Sequence, residues 1–164
     1  MAKLKSTMVQ GFSDGRELMA LFTELIDDLE ALRQGVHLAA DATNVEDTAD
    51  ATNAATALTL ANALKASYGA HLALTTSHVV ADATNPIAAA DASDAASTYA
   101  LLIELKGDFN LHLAHGGHKH TDMENRVDTA NATNEATSVA LANDLKAAYN
   151  AHVASAIAAL KTTL

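Results

Sequence analysis

The chain has 164 residues, 49% of them hydrophobic but only 4% aromatic, with no Cys and no Trp. Acidic residues outnumber basic ones 20 to 10, a net charge of −10. Such a surface repels phosphate backbones and anionic membranes, so neither nucleic acid nor membrane is an expected partner. The lack of cysteine excludes disulfides, thiolate metal sites and a cysteine nucleophile.

The length suits one domain with a modest core. Its apolar content is mostly alanine, the best helix former but one that buries little area. With a single Pro in the chain, long helices are expected, stabilised by close packing or by other subunits. The start, "MAKLKSTMVQGFSDGRELMALF", has no apolar signal-peptide core, and no run approaches the roughly 18 apolar residues of a membrane helix.

The first expected helix covers about 14–35. Asp14 and Glu17 form a capping-box pattern at its start. Leu18, Phe22, Leu25, Leu29 and Leu32 then recur at steps of 4, 3, 4 and 3, a heptad stripe suited to a helix seam. This helix precedes the repetitive part of the chain and suits an N-terminal cap or an oligomerisation element.

From residue 37 the chain repeats. "HLAADATN" begins at His37, "HVVADATN" at His78 and "HKHTDMEN" at His118, offsets of 41 (78−37) and 40 (118−78). A second turn comes later in each copy, "DATN" at Asp50, "DASD" at Asp91 and "NATN" at Asn131. Then comes a helical segment: "LANALKASYGAHLA", "LLIELKGDFNLHLA" or "LANDLKAAYNAHVA". Leu64, Leu105 and Leu145 correspond, as do Tyr68, Phe109 and Tyr149, and His71, His112 and His152. Repetition at a shared offset points to tandem duplication.

The expected architecture is therefore all-α. An N-terminal arm and heptad helix (1–36) precede three units (37–77, 78–117 and 118–164), each an Asp/Asn/Thr-rich connection followed by a long alanine-rich helix. Helices are expected at about 53–74, 94–115 and 134–161, forming a bundle or array. Their heptad positions end in an aromatic and then a histidine. The Asp and Asn turns supply helix caps, and Pro86 after Asn85 suggests a short helix near 86–91. Connections of this length can run back along a helix, which would make consecutive helices parallel. Lys65, Lys106 and Lys146 are expected to be solvated over apolar surface.

Six of the eight histidines fall on two repeat positions. One explanation is structural, since a histidine near a helix C-terminus interacts with the dipole and the last carbonyls. The other is divalent metal ligation, with His71, His78 and Asp82 as one set and His112, His118 and Asp122 as another. His115 and His120 add donors to the "HGGHKH" loop. His37 and His152 are half-pairs at opposite ends of the repeats, and they could meet across a subunit boundary. No nucleophile elbow, phosphate loop or paired-carboxylate cleft is present, so an enzyme is not expected, and no organic cofactor is implied.

The pattern "LANxLKAxYNAHxA", then His, then "ADATN", every forty residues or so, resembles alanine-rich repeat proteins encoded among tailed-phage structural genes. The resemblance covers roughly residues 37–155. It implies a non-enzymatic virion component, such as a capsid decoration, neck or tail-associated protein, made in the host cytoplasm and assembled with itself and other virion proteins. The alternatives are a helical metal-binding module and a bacterial surface or filament subunit.

Overall fold

The computed structural model describes residues 15–34 and 36–156. It is all-helical, with α1 at Gly15–Gln34, α2 at Ala54–Leu72, α3 at Ala95–His112 and α4 at Glu135–Ala154. The expected capping box of Asp14 and Glu17, the seam side chains Leu18 and Leu32, and the expected extension of the last helix to 161 lie outside the described residues. Two compact units are present, and α2, α3 and α4 all belong to Val36–Ala156. Among the described residues no helix is long and apolar enough to cross a membrane.

In the other unit, α1 leaves apolar side chains in solvent. Phe22 is 51% exposed and Leu29 57%, and Met19, Leu25 and Ile26 are exposed too.

Each helix of the larger unit starts at a capping box built by the second turn of its repeat. Asn53, Asp94 and Asn134 are the N-caps, and Thr56, Ser97 and Thr137 return the bond to the cap backbone. Two of the four orphan donors at each helix start are satisfied this way. The alanines between the leucines then let the three helices pack closely. Ala57, Thr98 and Ser138 are buried at the N-terminal end. Leu64, Leu105 and Leu145 line the middle, beside Tyr68, Phe109 and Tyr149. The C-terminal histidines meet beyond the aromatics. With like ends together, the three helices run parallel.

A parallel arrangement needs each connection to travel back along the bundle, and side-chain amides hold it there. The Asn62 amide accepts from the Ala92 N–H at 2.7 Å and donates to the Ala92 carbonyl at 3.0 Å. Asn110 clamps Val127 in the same way, while Asn143 clamps Ala51 and Asn150 clamps Glu46. The last two pairs tie the first connection to α4, so the array closes on itself.

Backbone bonds repeat that closure at the base. The Leu38 N–H donates to Ser77 O, Val79 N–H to Gly117 O, and Lys119 N–H back to Val36 O, each at 2.8 Å. A parallel bridge between His37 and Ala156 joins the two ends of the unit.

Two expectations are corrected. No helix forms near 86–91. The Ala88 and Ala89 N–H groups donate to the Glu104 carboxylate instead, which holds the segment extended along α3. The repeated lysines are not simply solvated. Lys65 pairs with Asp91 at 2.8 Å, Lys106 donates to Thr129 O, and Lys146 donates to Thr48 O and Asp50. They pin the connections.

The aromatic layer contains a natural comparison. Tyr68 donates to the carbonyls of Asn85 and Asp108, and Tyr149 to those of Asn44 and Ser67. Phe109 holds the third position without a hydroxyl. By register, the Asn125 and Ala148 carbonyls stand where a hydroxyl there would donate. Phe109→Tyr is expected to raise unfolding free energy by about 1 kcal/mol. Chemical denaturation checks this, and a loss of stability would show that the third position lacks room.

Candidate metal centre

Three histidines reach the centre from helix ends. His71, His112 and His152 lie in the last turns of α2, α3 and α4 and are fully buried. Each directs Nδ1 outward to the carboxylate of an Asp thirty residues earlier. The distances to Oδ2 are 2.9 Å for His71–Asp41, 2.9 Å for His112–Asp82 and 2.8 Å for His152–Asp122. A carboxylate only accepts, so Nδ1 carries the proton and Nε2 is left as a lone pair facing inward.

The other three open the connections. His37, His78 and His118 are likewise buried. His37 donates Nδ1–H to Ser155 O and His78 donates to Leu74 O, both at 2.8 Å. His118 departs from the pattern. Its Nδ1 has no partner, while its Nε2 lies 3.2 Å from His112 Nε2.

The six rings form a definite figure. The connection histidines make one triangle, with centroids 5.1 Å (His37–His78), 5.2 Å (His37–His118) and 5.0 Å (His78–His118) apart. The helix-end histidines make a second, at 5.3 Å (His71–His112), 5.3 Å (His71–His152) and 5.1 Å (His112–His152). Between the triangles every ring meets two others, the closest pairs being His37–His152 at 4.4 Å, His112–His118 at 4.5 Å and His71–His78 at 4.6 Å. Three longer contacts of 5.1–5.2 Å complete the set: His37–His71, His78–His112 and His118–His152. No ring contact joins His37 to His112, His71 to His118 or His78 to His152. Two staggered triangles with three opposite pairs make a trigonal antiprism, that is, an octahedron.

The centre is polar but has no internal partner. The Nε2 atoms of His37, His71, His78 and His152 make no hydrogen bond, and those of His112 and His118 meet only each other. A buried unpaired polar atom costs about 1–3 kcal/mol, so such a convergence calls for a partner. Ring nitrogens of His37, His78, His118 and His152 lie within 4.8 Å of one another, as do those of His71, His78, His112 and His152.

Electrostatics favour the neutral, ligand-ready form. Burial pushes the His71 imidazole down to about 3 against the upward pull of Asp41, and the imidazoles of His152, His78 and His37 push it further down. Burial and then His152 lower His37 to about 4 and His118 to about 3. His78 and His112 are lowered too, burial being the main cause. The carboxylates stay ionised. Burial pushes Asp41 up, but hydrogen bonds from Asn44, His71 and Thr43 bring it down to about 2. Asp82 and Asp122 are lowered by corresponding bonds against the same burial effect.

The structure thus redraws the two local sets expected from sequence. His71, His78, His112 and His118 come together in one cluster. Asp82 and Asp122 orient rings from outside it, and Asp82 serves His112 rather than His71. His115 stands off, with Nε2 3.5 Å from Asp82 Oδ1 and its ring stacked 6.5 Å from that of His112. His120 is exposed and outside the cluster. His37, His152 and Asp41 were missing from the expected sets. The half-pairs His37 and His152 meet within the chain, at a subunit-free closure. Their shared repeat positions were the available signal.

The "HGGHKH" loop has its own packing demand. A Cβ on Gly117 would fall 2.4 Å from Val80 O and 2.9 Å from His115 Nδ1, whereas one on Gly116 meets nothing within 4 Å. Gly117 lets this loop lie against the second connection beside the cluster.

No protein-family model, no curated protein and no solved structure matches this chain.

Proposed function

We propose that this protein is a structural module closed around one transition-metal ion. The observation that carries this is the convergence of six buried imidazole Nε2 atoms with no other partner. The outward bonds support it, because metal-binding histidines ordinarily donate their second N–H to a carboxylate or carbonyl. Five of the six rings do so here.

The role that fits is a staple. The candidate ligands run from His37 to His152, so one ion would tie the three connections to α2, α3 and α4. Catalytic metal sites keep a coordination position open. Here the six imidazoles would fill the sphere of an ion at their centre, where their ring nitrogens gather in two overlapping sets of four.

Thermal unfolding with and without metal tests this. Protein stripped with a chelator is expected to gain about 4 kcal/mol when a divalent ion is supplied at a thousand times its Kd, and Tm to rise by 10 °C or more, as about 3 °C or more per kcal/mol implies. An unchanged Tm with every first-row divalent ion would overturn the proposal.

The solvent-exposed apolar residues of α1 favour a second, compatible role in assembly. Phe22 and Leu29 stand on the heptad stripe and are exposed, so α1 is the element through which copies would associate. Together with the resemblance of the repeats, this supports a virion component. Light scattering is expected to show an oligomer that Phe22→Asp with Leu29→Asp dissociates. A folded monomer at high concentration would remove this role.

A further inference from the structure

We infer that the centre takes an octahedral, six-coordinate first-row divalent ion of the Fe(II), Co(II) or Ni(II) kind, and discriminates against zinc. The inference rests on the metal-binding function proposed above and specifies the ion.

The first ground is the figure the rings make. A tetrahedral site has four ligands, each adjacent to the other three. Here each ring adjoins four others and stands opposite a fifth, with His37 facing His112, His71 facing His118 and His78 facing His152. Ordinary structural zinc sites take four ligands. Six neutral imidazoles suit the ions of the iron–cobalt–nickel series, whereas Cu(II) prefers a tetragonal sphere.

The second ground is rigidity. Nδ1 bonds to Asp41, Asp82 and Asp122 fix three rings, and bonds to Ser155 O and Leu74 O fix two more. None of these rings can turn away without breaking a bond of 2.8–2.9 Å. An ion bound by only four would therefore leave two imidazoles idle in the centre: with His37, His71, His78 and His152 engaged, the Nε2 atoms of His112 and His118 meet only each other, 3.2 Å apart, and with any other four at least one buried Nε2 stays unpaired. A six-coordinate ion leaves none.

The third ground is burial. His37, His71, His112 and His152 are 0% exposed and His78 is 1% exposed. His118 is 7% exposed, so bulk water meets little of the centre and the six rings themselves are the ready ligands.

The test uses the full-length wild-type protein loaded with Co(II) alone, then with Zn(II) or Ni(II) in competition. The expected result is one pale, weakly absorbing cobalt per chain, with X-ray absorption showing six imidazole nitrogens. Ni(II) is expected to displace Zn(II), with at least a tenfold preference. Intensely coloured cobalt with four nitrogens, or zinc binding as tightly as nickel, would overturn the inference while leaving the metal-binding function standing. No binding of any ion would overturn both.

Discussion

Stripped of metal, the protein is expected to lose stability steeply as the pH falls from about 6.5 towards about 4. In the unfolded chain these imidazoles take up protons near 6.5, while in the folded chain His37 waits until about 4 and His71 and His118 until about 3. Between those values the unfolded state binds more protons. Stability therefore rises with pH through this window and is lost on acidification, by up to about 1.4 kcal/mol per pH unit for each such group. Three groups acting together remove at most about 4 kcal/mol per pH unit, so about two to three units of acidification are comparable with a typical stability of about 5–15 kcal/mol.

Asp41 acts in the same direction at lower pH. Its folded value of about 2 lies below the ordinary 3.8, so its contribution is present above 3.8 and disappears as pH falls through about 2. Metal bound as proposed is expected to shift the acid midpoint lower, because the ion would have to be displaced before the rings protonate. Far-UV circular dichroism against pH, with and without metal, reads this directly. A metal-free protein equally stable at pH 6.5 and pH 4 would contradict the neutral, buried state assigned to these histidines.

The second large effect is expected from the carboxylates behind the helix-end rings. Asp82 accepts from the Thr84 N–H at 2.8 Å, the Thr84 hydroxyl at 2.7 Å, Asn85 Nδ2 at 2.6 Å and His112 Nδ1 at 2.9 Å. Asp122 accepts from the Asn125 N–H at 3.2 Å, Asn125 Nδ2 at 2.7 Å and His152 Nδ1 at 2.8 Å. Glu124 stands where the other copies have Thr43 and Thr84, so Asp122 lacks the hydroxyl bond. Asp82→Ala is expected to cost about 3–5 kcal/mol, because four donors, among them the neutral His112 ring, lose a buried ionised acceptor. Asp122→Ala should cost about 2–3 kcal/mol, because fewer donors lose their acceptor.

Each substitution should also weaken metal binding by about 10–100-fold. Asn is no remedy. Whichever way its amide turns, one N–H faces either the ring Nδ1–H or the Asn and Thr donors. Denaturant titration ranks the stabilities and metal titration ranks the affinities. Equal and negligible effects at both sites would show that the carboxylates do not hold the rings.

The helices were legible because their signals are local. Alanine-rich heptads and Asp or Asn caps placed α2, α3 and α4 within three residues of where they start and, for α2 and α3, stop. The inward positions were legible for the same reason, and Tyr68, Phe109 and Tyr149 fill the core layer that their register suggested. The course of the connections was harder to read. The fixing groups, such as Asn143 against Ala51 and Asn150 against Glu46, act across 92 and 104 residues.

That long-range closure is what turns three recurring pairs into one centre of six. Read along the chain, His71 and His78 look like neighbours with Asp82 behind them, because seven- and eleven-residue spacings are all that a linear pattern shows. In space Asp82 pairs with His112, and the two half-pairs His37 and His152 complete each other. The "HGGHKH" loop drew attention as a local cluster, yet only one of its three histidines, His118, joins the centre. His115 contacts the Asp82 carboxylate from the side instead.

Occupancy of the six-imidazole centre by a single ion is open to elemental analysis and equilibrium titration of untagged protein, in the wild type and in His37→Gln and His152→Gln variants. One ion per chain is expected in the wild type, with a loss of affinity of at least tenfold in both variants. Wild-type protein that is purified without metal, and binds none on titration while remaining fully folded, would contradict a metal-closed fold.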